Sequence, residues 1–344
     1  MRLTTPRLLR LALSAAIATG LCPATAAQLP EMAQRPRMMF ADTSRIGRPF
    51  AKDPSIIRFR GRYLLYFSLP PFSRERAKDD SPAGWSIGIA ESKNLLDWTK
   101  VAELLPAQEC DRNGLCAPGA IVLDGRVHVF YQTYGNGPKD AICHAVSDDG
   151  LHFTRHPSNP VFRPNGDWTS GRAIDAEAHP VGDRLLLYFA TRDPAMKIQM
   201  IGVAGSPLKS GFGRETWKQL SNGPILKPEL PWEKDCIEAP SIVSREGRLF
   251  MFYAGAYNNQ PQQIGCASSG DGLRWTRLSD QPLLANGKPG EWNSSESGHP
   301  GAFVDEDGQG YLFYQGNNDH GKTWFLSVLR ILWTADCPAL APIP

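Results

Sequence analysis

Residues 53–68 read DPSIIRFRGRYLLYFS, and this stretch decides the fold because its pattern recurs along the chain. It is a short β-rich run, a turn at Gly61 and an aromatic strand ending near Tyr66, which is the pattern of a β-hairpin. Four further copies keep that order of run, turn and aromatic strand. They read APGAIVLDGRVHVFYQ from Ala117, DAEAHPVGDRLLLYFA from Asp175, EAPSIVSREGRLFMFYAG from Glu238 and HPGAFVDEDGQGYLFYQG from His299. The five starts are separated by 64, 58, 63 and 61 residues.

A second segment follows each hairpin and supplies a third strand, a polar turn and a short fourth strand. These segments read WSIGIAESKNLLDWTKV from Trp85, AICHAVSDDGLHFTRH from Ala141, IQMIGVAGSPL from Ile198, QIGCASSGDGLRWTRL from Gln263 and TWFLSVLRILW from Thr323. Five units of four strands with a period near 60 predict an all-β five-bladed β-propeller, with four antiparallel strands per blade. The alternative is a β-sandwich, but a sandwich has no reason to repeat this order at constant spacing.

The first residues of the chain have the pattern of an export signal. Arg2, Arg7 and Arg10 precede a short apolar run over residues 11–21, and small residues at 24–27 offer a cleavage site near Ala27. The run is too short for a membrane span, which needs about 20 apolar residues. The sequence therefore predicts a signal peptide over 1–27 and a single propeller catalytic domain over 28–344. We expect a secreted or periplasmic protein without membrane insertion.

Composition excludes several classes of protein. Hydrophobic residues make up 42% and charged residues 21%, which is ordinary for a globular domain and excludes a disordered or fibrous chain. The net charge is +2, but three of the 37 basic residues lie in the predicted signal peptide. The rest of the chain therefore has about as many acidic as basic residues, so no nucleic-acid partner is expected.

Six of the seven cysteines lie beyond the predicted signal peptide, and an even number permits disulfides in an oxidising compartment. Cys110 and Cys116 flank a glycine-containing loop, so we expect this pair to be bonded. No metal-binding spacing of cysteine or histidine occurs in the sequence.

The repeat also predicts a site at the centre of the molecule. The first strand of each propeller blade lines the central channel, so the residues that open these strands meet at one mouth. They are Asp53, Ala117, Asp175, Glu238 and His299, although Glu238 lies one place early relative to its Pro-Ser-Ile. Converging carboxylates raise one another's pKa, and glycoside hydrolysis uses a protonated acid, an ionised base and a third carboxylate nearby. Each aspartate alone could instead be an ordinary turn or cap residue.

The blade-opening motifs resemble those of glycoside hydrolase family 43 and its five-bladed relatives, over essentially the whole predicted domain. The matching segments are KDPSI at 52–56, IDA at 174–176, EAPS at 238–241 and Gly298-His299. The resemblance implies an inverting hydrolase of arabinose-, xylose- or galactose-containing glycans, with an oligo- or polysaccharide as partner. It implies Asp53 as general base, Asp175 as pKa modulator and Glu238 as general acid. It implies no required cofactor, and an ion, often calcium, or a water in the channel beside His299.

Two features around the predicted site leave its details open. Many arabinan-cleaving members open the second blade with Trp-Ala-Pro-Asp, whereas this chain has Cys116-Ala117-Pro118-Gly119 and lacks that aromatic residue and that acid. Glu177 and His179 follow Asp175 at period two, so they share its strand face. Either residue could join the site, and a polar pair that lines the channel is an equal alternative.

Hairpin topology adds a set of expected substrate-binding residues, because the second strand of each blade returns to the same mouth. Aromatic faces and amide or guanidinium donors suit sugar recognition. The strand ends carry Phe72, Tyr134, Arg192, Tyr257, Asn258 and Gln315. Any one of them could instead be a surface loop residue.

Four other functions stay open beside the inverting glycosidase. The chain could be another five-bladed carbohydrate-active enzyme, of the anhydrogalactosidase, fructan-hydrolase or mannoside-phosphorylase type. A phosphorylase needs basic residues for phosphate, for which Arg172 and Arg192 are candidates. The chain could also be a propeller that binds glycans without catalysis, because binding needs aromatic platforms but no acid and base.

Overall fold

The computed structural model describes residues 36–334 and 337–343, and it confirms the five-bladed β-propeller. Each blade is an antiparallel sheet of four strands that are consecutive in sequence. Blade 1 contains β1 (Lys52–Phe59), β2 (Arg62–Leu69), β3 (Ser86–Ser92) and β4 (Thr99–Leu104); blade 2 contains β5 (Leu115–Leu123), β6 (Arg126–Thr133), β7 (Ile142–Ser147) and β8 (Thr154–Arg155); blade 3 contains β9 (Ile174–Val181), β10 (Arg184–Arg192), β11 (Gln199–Pro207) and β12 (Lys218–Gln219); blade 4 contains β13 (Ile237–Arg245), β14 (Arg248–Gly255), β15 (Gln263–Ser269) and β16 (Thr276–Arg277); blade 5 contains β17 (Glu296–Val304), β18 (Gly310–Asn317), β19 (Phe325–Thr334) and β20 (Cys337–Ala341).

Helix in the described residues is limited to three short 3-10 turns, over Glu109–Asp111, Gly137–Lys139 and Arg214–Thr216. No helix in the described part of the chain is long and apolar enough to cross a membrane. The predicted signal peptide over 1–27 lies outside the described residues.

A β-bulge interrupts the first strand of every blade at the same place. The pairing with the second strand shifts there, and one residue per blade has a left-handed backbone. These residues are Asp53 (φ 54°), Ala117 (45°), Asp175 (52°), Ala239 (51°) and His299 (48°). A left-handed non-glycine residue is disfavoured by about 1–3 kcal/mol, and a bulge re-aims its side chain. The repeated strain therefore serves to turn residues toward the channel mouth.

The bulge corrects the predicted alignment of blade 4. Its left-handed residue is Ala239 rather than Glu238. Glu238 occupies the position just before the bulge, where blade 1 has Lys52 and blade 2 has Cys116. The general acid candidate and the two aspartates therefore enter the mouth from different strand positions, which explains why Glu238 lies one place early in the repeat alignment.

Hydrogen bonds near the bulges join each blade to its neighbours along the channel. Ser55 Oγ accepts the Ala120 N–H of the next blade at 2.9 Å, and Ser241 Oγ accepts the Ala302 N–H at 2.8 Å. The equivalent position in blade 2 is Gly119, where a Cβ would lie 2.0 Å from a backbone oxygen of blade 3. Glycine is therefore required where two blades make direct backbone contact.

Two buried tyrosines on second strands connect neighbouring blades farther from the axis. Tyr66 donates to the Gly150 carbonyl of blade 2 at 2.9 Å, and Tyr188 donates to the Gly272 carbonyl of blade 4 at 3.0 Å. Both acceptors belong to turns of similar sequence, SDDGLHF at 147–153 and SGDGLRW at 269–275. These turns hold adjacent blades together.

The predicted Cys110–Cys116 pairing is wrong. Both residues are free thiols, because Cys116 lies on β5 at the channel mouth and Cys110 lies on the first 3-10 turn. Cys110 instead faces Cys143 on β7, with the two sulfur atoms 3.8 Å apart.

A candidate active site at the channel mouth

Three of the five bulges bring Asp53, Asp175 and His299 into contact. The His299 Nε2 atom lies 3.3 Å from Asp53 Oδ1 and 3.4 Å from Asp175 Oδ1. Each of the three residues is less than 10% exposed. Burial would lower the pKa of His299, but the two carboxylates outweigh it and raise this pKa to about 9. The imidazole is therefore a cation at neutral pH, held between two carboxylates.

Asp53 has the electrostatic surroundings of an ionised base. Burial would raise its pKa, but the positive charges of His299 and Lys52 outweigh burial and hold the pKa below its usual value. The Asp53 backbone N–H donates to Gln315 Oε1 at 3.1 Å. The carboxylate is thus charged at neutral pH and its bulge is fixed by a side chain of blade 5.

Glu238 has the opposite surroundings. It is 6% exposed, and its pKa is raised above the usual value, first by burial and then by the negative charge of Asp175. The contribution of Asp175 that the sequence predicted is present, but burial is the larger cause. Two carboxyl groups of one mouth are therefore pushed toward opposite protonation states, as an acid and a base require.

Two glutamine side chains hold the carboxyl group of Glu238. Gln199 Nε2 donates to Glu238 Oε2, and Gln262 Nε2 donates to Glu238 Oε1 at 2.6 Å. Neither glutamine was identified from the sequence, because Gln199 opens β11 and Gln262 lies in the loop before β15. Both positions fall outside the repeated hairpin. The signal in the sequence that could have identified them was a glutamine beside apolar strand residues, and this is a weak signal.

A second network of polar side chains joins blades 1, 4 and 5 beside Asp53. Lys52 Nζ and Gln315 Nε2 both donate to Asn258 Oδ1, at 3.1 and 3.0 Å. Gln315 Nε2 also donates to Glu296 Oε1 at 2.8 Å. Glu296 is fully buried, and burial raises its pKa to about 7 against the opposing charge of Lys52. The predicted binding residues Asn258 and Gln315 therefore support Asp53, and Glu296 is a buried member that the sequence analysis missed.

Aromatic residues and an arginine form the rim of the mouth. Tyr134 is 36% exposed, and its ring centroid lies 5.4 Å from that of Trp85. The Arg192 guanidinium lies 5.0 Å from the ring centroid of Tyr257 and donates to Gln199 Oε1 at 2.9 Å. Three predicted binding residues thus lie at the rim, and Arg192 also contacts the network that holds Glu238.

Other predicted residues have partners away from the catalytic carboxylates. Phe72 packs under the guanidinium of Arg45, 4.1 Å from its ring centroid. Glu177 Oε1 accepts the Ile242 N–H of blade 4 at 3.0 Å, and burial raises the pKa of Glu177 to about 8. His179 Nε2 lies 2.6 Å from Ser244 Oγ, also in blade 4. The last two residues therefore line the channel wall.

The family resemblance implied an ion, often calcium, or a water in the channel beside His299. No group of three or more metal-binding side chains that could hold an ion occurs among the described residues. A cavity of about 40 Å³ adjoins Asp175 and Glu177 in the channel, and it has room for a water molecule.

Comparisons with known proteins find chains of similar sequence and chains of similar fold. A 1,2-β-oligomannan phosphorylase of Thermoanaerobacter sp. (strain X514) is 26% identical over 215 residues, which cover 60% of this chain and 64% of that protein. The chain spans less than two thirds of the length of the curated relatives it matches. A thermostable family-43 glycoside hydrolase has a TM-score of 0.67 at 21% identity and covers 86% of this chain and 95% of its own. An α-L-arabinofuranosidase from Lactobacillus brevis has a TM-score of 0.65 at 18% identity and covers 90% and 97%.

Structural similarity at these low sequence identities shows only the fold, whereas a match to a family model shows the family. The model of the glycosyl hydrolases family 43 matches residues 43–336, which include all five blade-opening bulges. The chain therefore belongs to glycosyl hydrolases family 43.

Proposed function

We propose that the protein is an inverting glycoside hydrolase that acts on arabinose-, xylose- or galactose-containing glycans at the mouth of its channel. The observation that carries this proposal is the opposite shift of two pKa values within one site. The pKa of Asp53 is held low by His299 and Lys52, and that of Glu238 is raised by burial and by Asp175.

The proposed chemistry is a single displacement. Ionised Asp53 accepts a proton from a water molecule as the water attacks the anomeric carbon. Protonated Glu238 donates its proton to the glycosidic oxygen as the bond to the leaving group breaks. Burial and the negative charge of Asp175 keep that proton on Glu238, and cationic His299 keeps Asp53 ionised.

A substrate screen with carboxamide variants tests the assignment. Aryl arabinofuranosides, xylosides and galactosides are the first substrates, with fructans beside them for the fructan-hydrolase alternative. Asp53→Asn and Glu238→Gln should each reduce turnover by about 10²–10⁴-fold with the fold intact. Glu177→Gln is the matched control, because it makes the same carboxyl-to-amide change at a buried residue of the channel wall. Wild-type rates in both mouth variants would overturn the assignment, and a protein that binds glycans without turnover would be a binding module.

Inversion is tested separately by proton NMR of the first sugar product, before mutarotation mixes the anomers. The product should have the opposite anomeric configuration to the substrate. Retention would mean that a mouth carboxylate attacks the sugar directly.

Phosphorolysis is the second candidate function, and specific observations favour it. The similar curated protein is a phosphorylase, and four cations lie around this mouth: Lys52, Arg172, Arg192 and His299. Adding inorganic phosphate to β-1,2-mannobiose should then release mannose 1-phosphate in amounts equal to the mannose formed. A release of free sugar that is independent of phosphate favours hydrolysis.

Export is also proposed, on the sequence of residues 1–27. Expression of the full chain in a Gram-negative host should give a periplasmic protein whose amino terminus is Gln28. A cytoplasmic protein that retains residues 1–27 would contradict it.

A further inference from the structure

The carboxyl group of Glu238 is held by amide groups whose orientation the surrounding atoms determine. The Arg192 guanidinium can only donate hydrogen bonds, and its Nε–H points at Gln199 Oε1 at 2.9 Å. The amide of Gln199 must therefore present its NH₂ group to Glu238 Oε2. The buried Cys236 sulfur, 3.6 Å from the same nitrogen, is a weak acceptor and agrees with this orientation.

Gln262 is oriented by a different neighbour. Its Nε2 atom donates to the Ala256 carbonyl oxygen at 3.0 Å as well as to Glu238 Oε1. A carbonyl oxygen can only accept, so a rotated Gln262 amide would place two oxygen atoms against each other. The Gln262 Oε1 atom is buried without a hydrogen-bond partner among the described residues. That unsatisfied acceptor shows how strongly the donors are held toward Glu238 and Ala256.

A glycine makes room for this arrangement. A Cβ on Gly298 would lie 1.9 Å from Gln262 Oε1. Gly298 has an ordinary backbone conformation, so alanine is excluded here only by the Gln262 side chain. An alanine at this position would push the amide of Gln262 away from Glu238.

We propose that Gln199 and Gln262 clamp Glu238 so that its acidic proton points out of the clamp and toward the glycosidic oxygen of a bound glycan. Both carboxyl oxygens accept N–H bonds, and neither glutamine offers an oxygen to receive the proton. We take the part of Glu238 that stays exposed, 6% of its surface, as the side that would face a glycan. Gln199 and Gln262 are positioning residues, Arg192 acts through Gln199, and Gly298 acts through Gln262. The role as proton donor rests on the proposed function, whereas the clamp itself does not.

The clamp has a signature that can be measured without a substrate. An N–H bond to a carboxylate favours its charged form, so removing either donor should raise the pKa of Glu238 by about one unit. The pKa is measured from the infrared C=O band of the protonated carboxyl group as pH is varied, with the band assigned by its loss in Glu238→Gln. Gln199→Met and Gln262→Met should both shift this titration upward. If neither variant shifts it, the amides are not donors to Glu238 and the clamp is refuted.

Two further comparisons separate the clamp from general damage to the fold. Gly298→Ala should reproduce the shift of Gln262→Met, although it alters none of the hydrogen-bonding atoms. Arg192→Lys keeps a donor for Gln199 and should remain near the wild-type pKa, whereas Arg192→Met should approach Gln199→Met. Arg172→Met is the matched control for losing a mouth cation, and a shift as large as that of Arg192→Met would mean that charge alone explains the effect.

Activity then tests the catalytic part of the inference. In Gln199→Met and Gln262→Met the proton of Glu238 should no longer point at the glycosidic oxygen, so kcat should fall about 10-fold or more while KM stays nearly unchanged. The alkaline limb of the kcat/KM profile should move to higher pH. Unchanged kcat with a shifted infrared titration would show a clamp that does not serve catalysis. Full turnover in Glu238→Gln would refute the proposed function but leave the infrared test of the clamp valid.

Discussion

At the scale of single residues, the site depends on where one residue per blade is placed by its bulge. Asp53, Asp175 and His299 come from three blades and meet because each has the same left-handed backbone. His299 gives the site a positive charge at neutral pH. The sequence showed that a histidine lies here but not that it is protonated. Asp53 suits the role of base because positive charges lie beside it, and Glu238 suits the role of acid because it is buried near a negative charge.

The role of His299 leads to a pH prediction. The imidazolium holds the pKa of Asp53 down, so His299→Gln should raise that pKa. The acidic limb of the kcat/KM profile reports the base and should move to higher pH. Asp175→Asn is the paired variant, and it should move the alkaline limb to lower pH, since the repulsion that raises the pKa of Glu238 is reduced. If the acidic limb were unchanged in His299→Gln, Asp53 would not be the base.

A second residue-scale prediction concerns Glu177 and stability. Burial raises its pKa from about 4.5 to about 8, so the folded state holds a proton that the unfolded state has lost over this range. Its contribution to stability is therefore present at low pH and is lost as pH rises from about 4.5 to 8. Glu177→Gln can still accept the Ile242 N–H and does not ionise.

The measurement is the melting temperature of both proteins across that pH range. The variant should gain stability relative to wild type as pH rises, and a constant difference would show that Glu177 is ionised in the folded protein.

At the scale of elements, the hairpin repeat predicted the strands because its periodicity is local. A β-rich run, a turn with glycine or aspartate and an aromatic strand, repeated with a period near 60, were enough to predict five blades. The bulge was not predictable from that pattern, since a one-residue insertion changes no residue type, but it explains why Glu238 lies one place early in the alignment. Gln199 and Gln262 were missed because they lie outside the repeated hairpin. Glu296 was missed because it lies three places before His299, where the repeated sequence pattern begins.

The turns between the third and fourth strands are expected to hold blades together. Tyr188→Phe removes the bond to the Gly272 carbonyl and should lower the free energy of unfolding by about 1 kcal/mol. Tyr66→Phe should have a similar effect through Gly150. Denaturant unfolding measures both, and unchanged midpoints in the two variants would mean that these bonds do not join the blades.

The thiol pair of blade 2 gives another prediction at this scale. Cys110 lies on a 3-10 turn and its sulfur lies 3.8 Å from that of Cys143 on β7. A disulfide oxidant such as oxidised glutathione should join them, with two electrons and two protons leaving the thiols. Peptide mapping without reduction should then find a Cys110–Cys143 linkage, and a Cys110–Cys116 linkage in the folded protein would contradict the structure.

At the scale of the whole molecule, five blades close into a ring although, among the described residues, no blade combines strands from the two ends of the chain. Each blade uses four consecutive strands, and the ring is completed where Phe40 pairs with Leu326 and packs 5.0 Å from the Phe67 ring. The ring places an acid and a base from blades 4 and 1 at one mouth. The central claim is that Glu238 is the proton donor of that pair.

That claim is tested most directly by the leaving-group dependence of Glu238→Gln. Proton donation matters most for a poor leaving group such as an alcohol and little for dinitrophenolate. We expect kcat/KM of the variant to fall by about 10²–10⁴-fold on an alkyl or oligosaccharide substrate and by far less on the matching dinitrophenyl glycoside. Equal losses on both substrates, or no loss on either, would contradict Glu238 as the general acid.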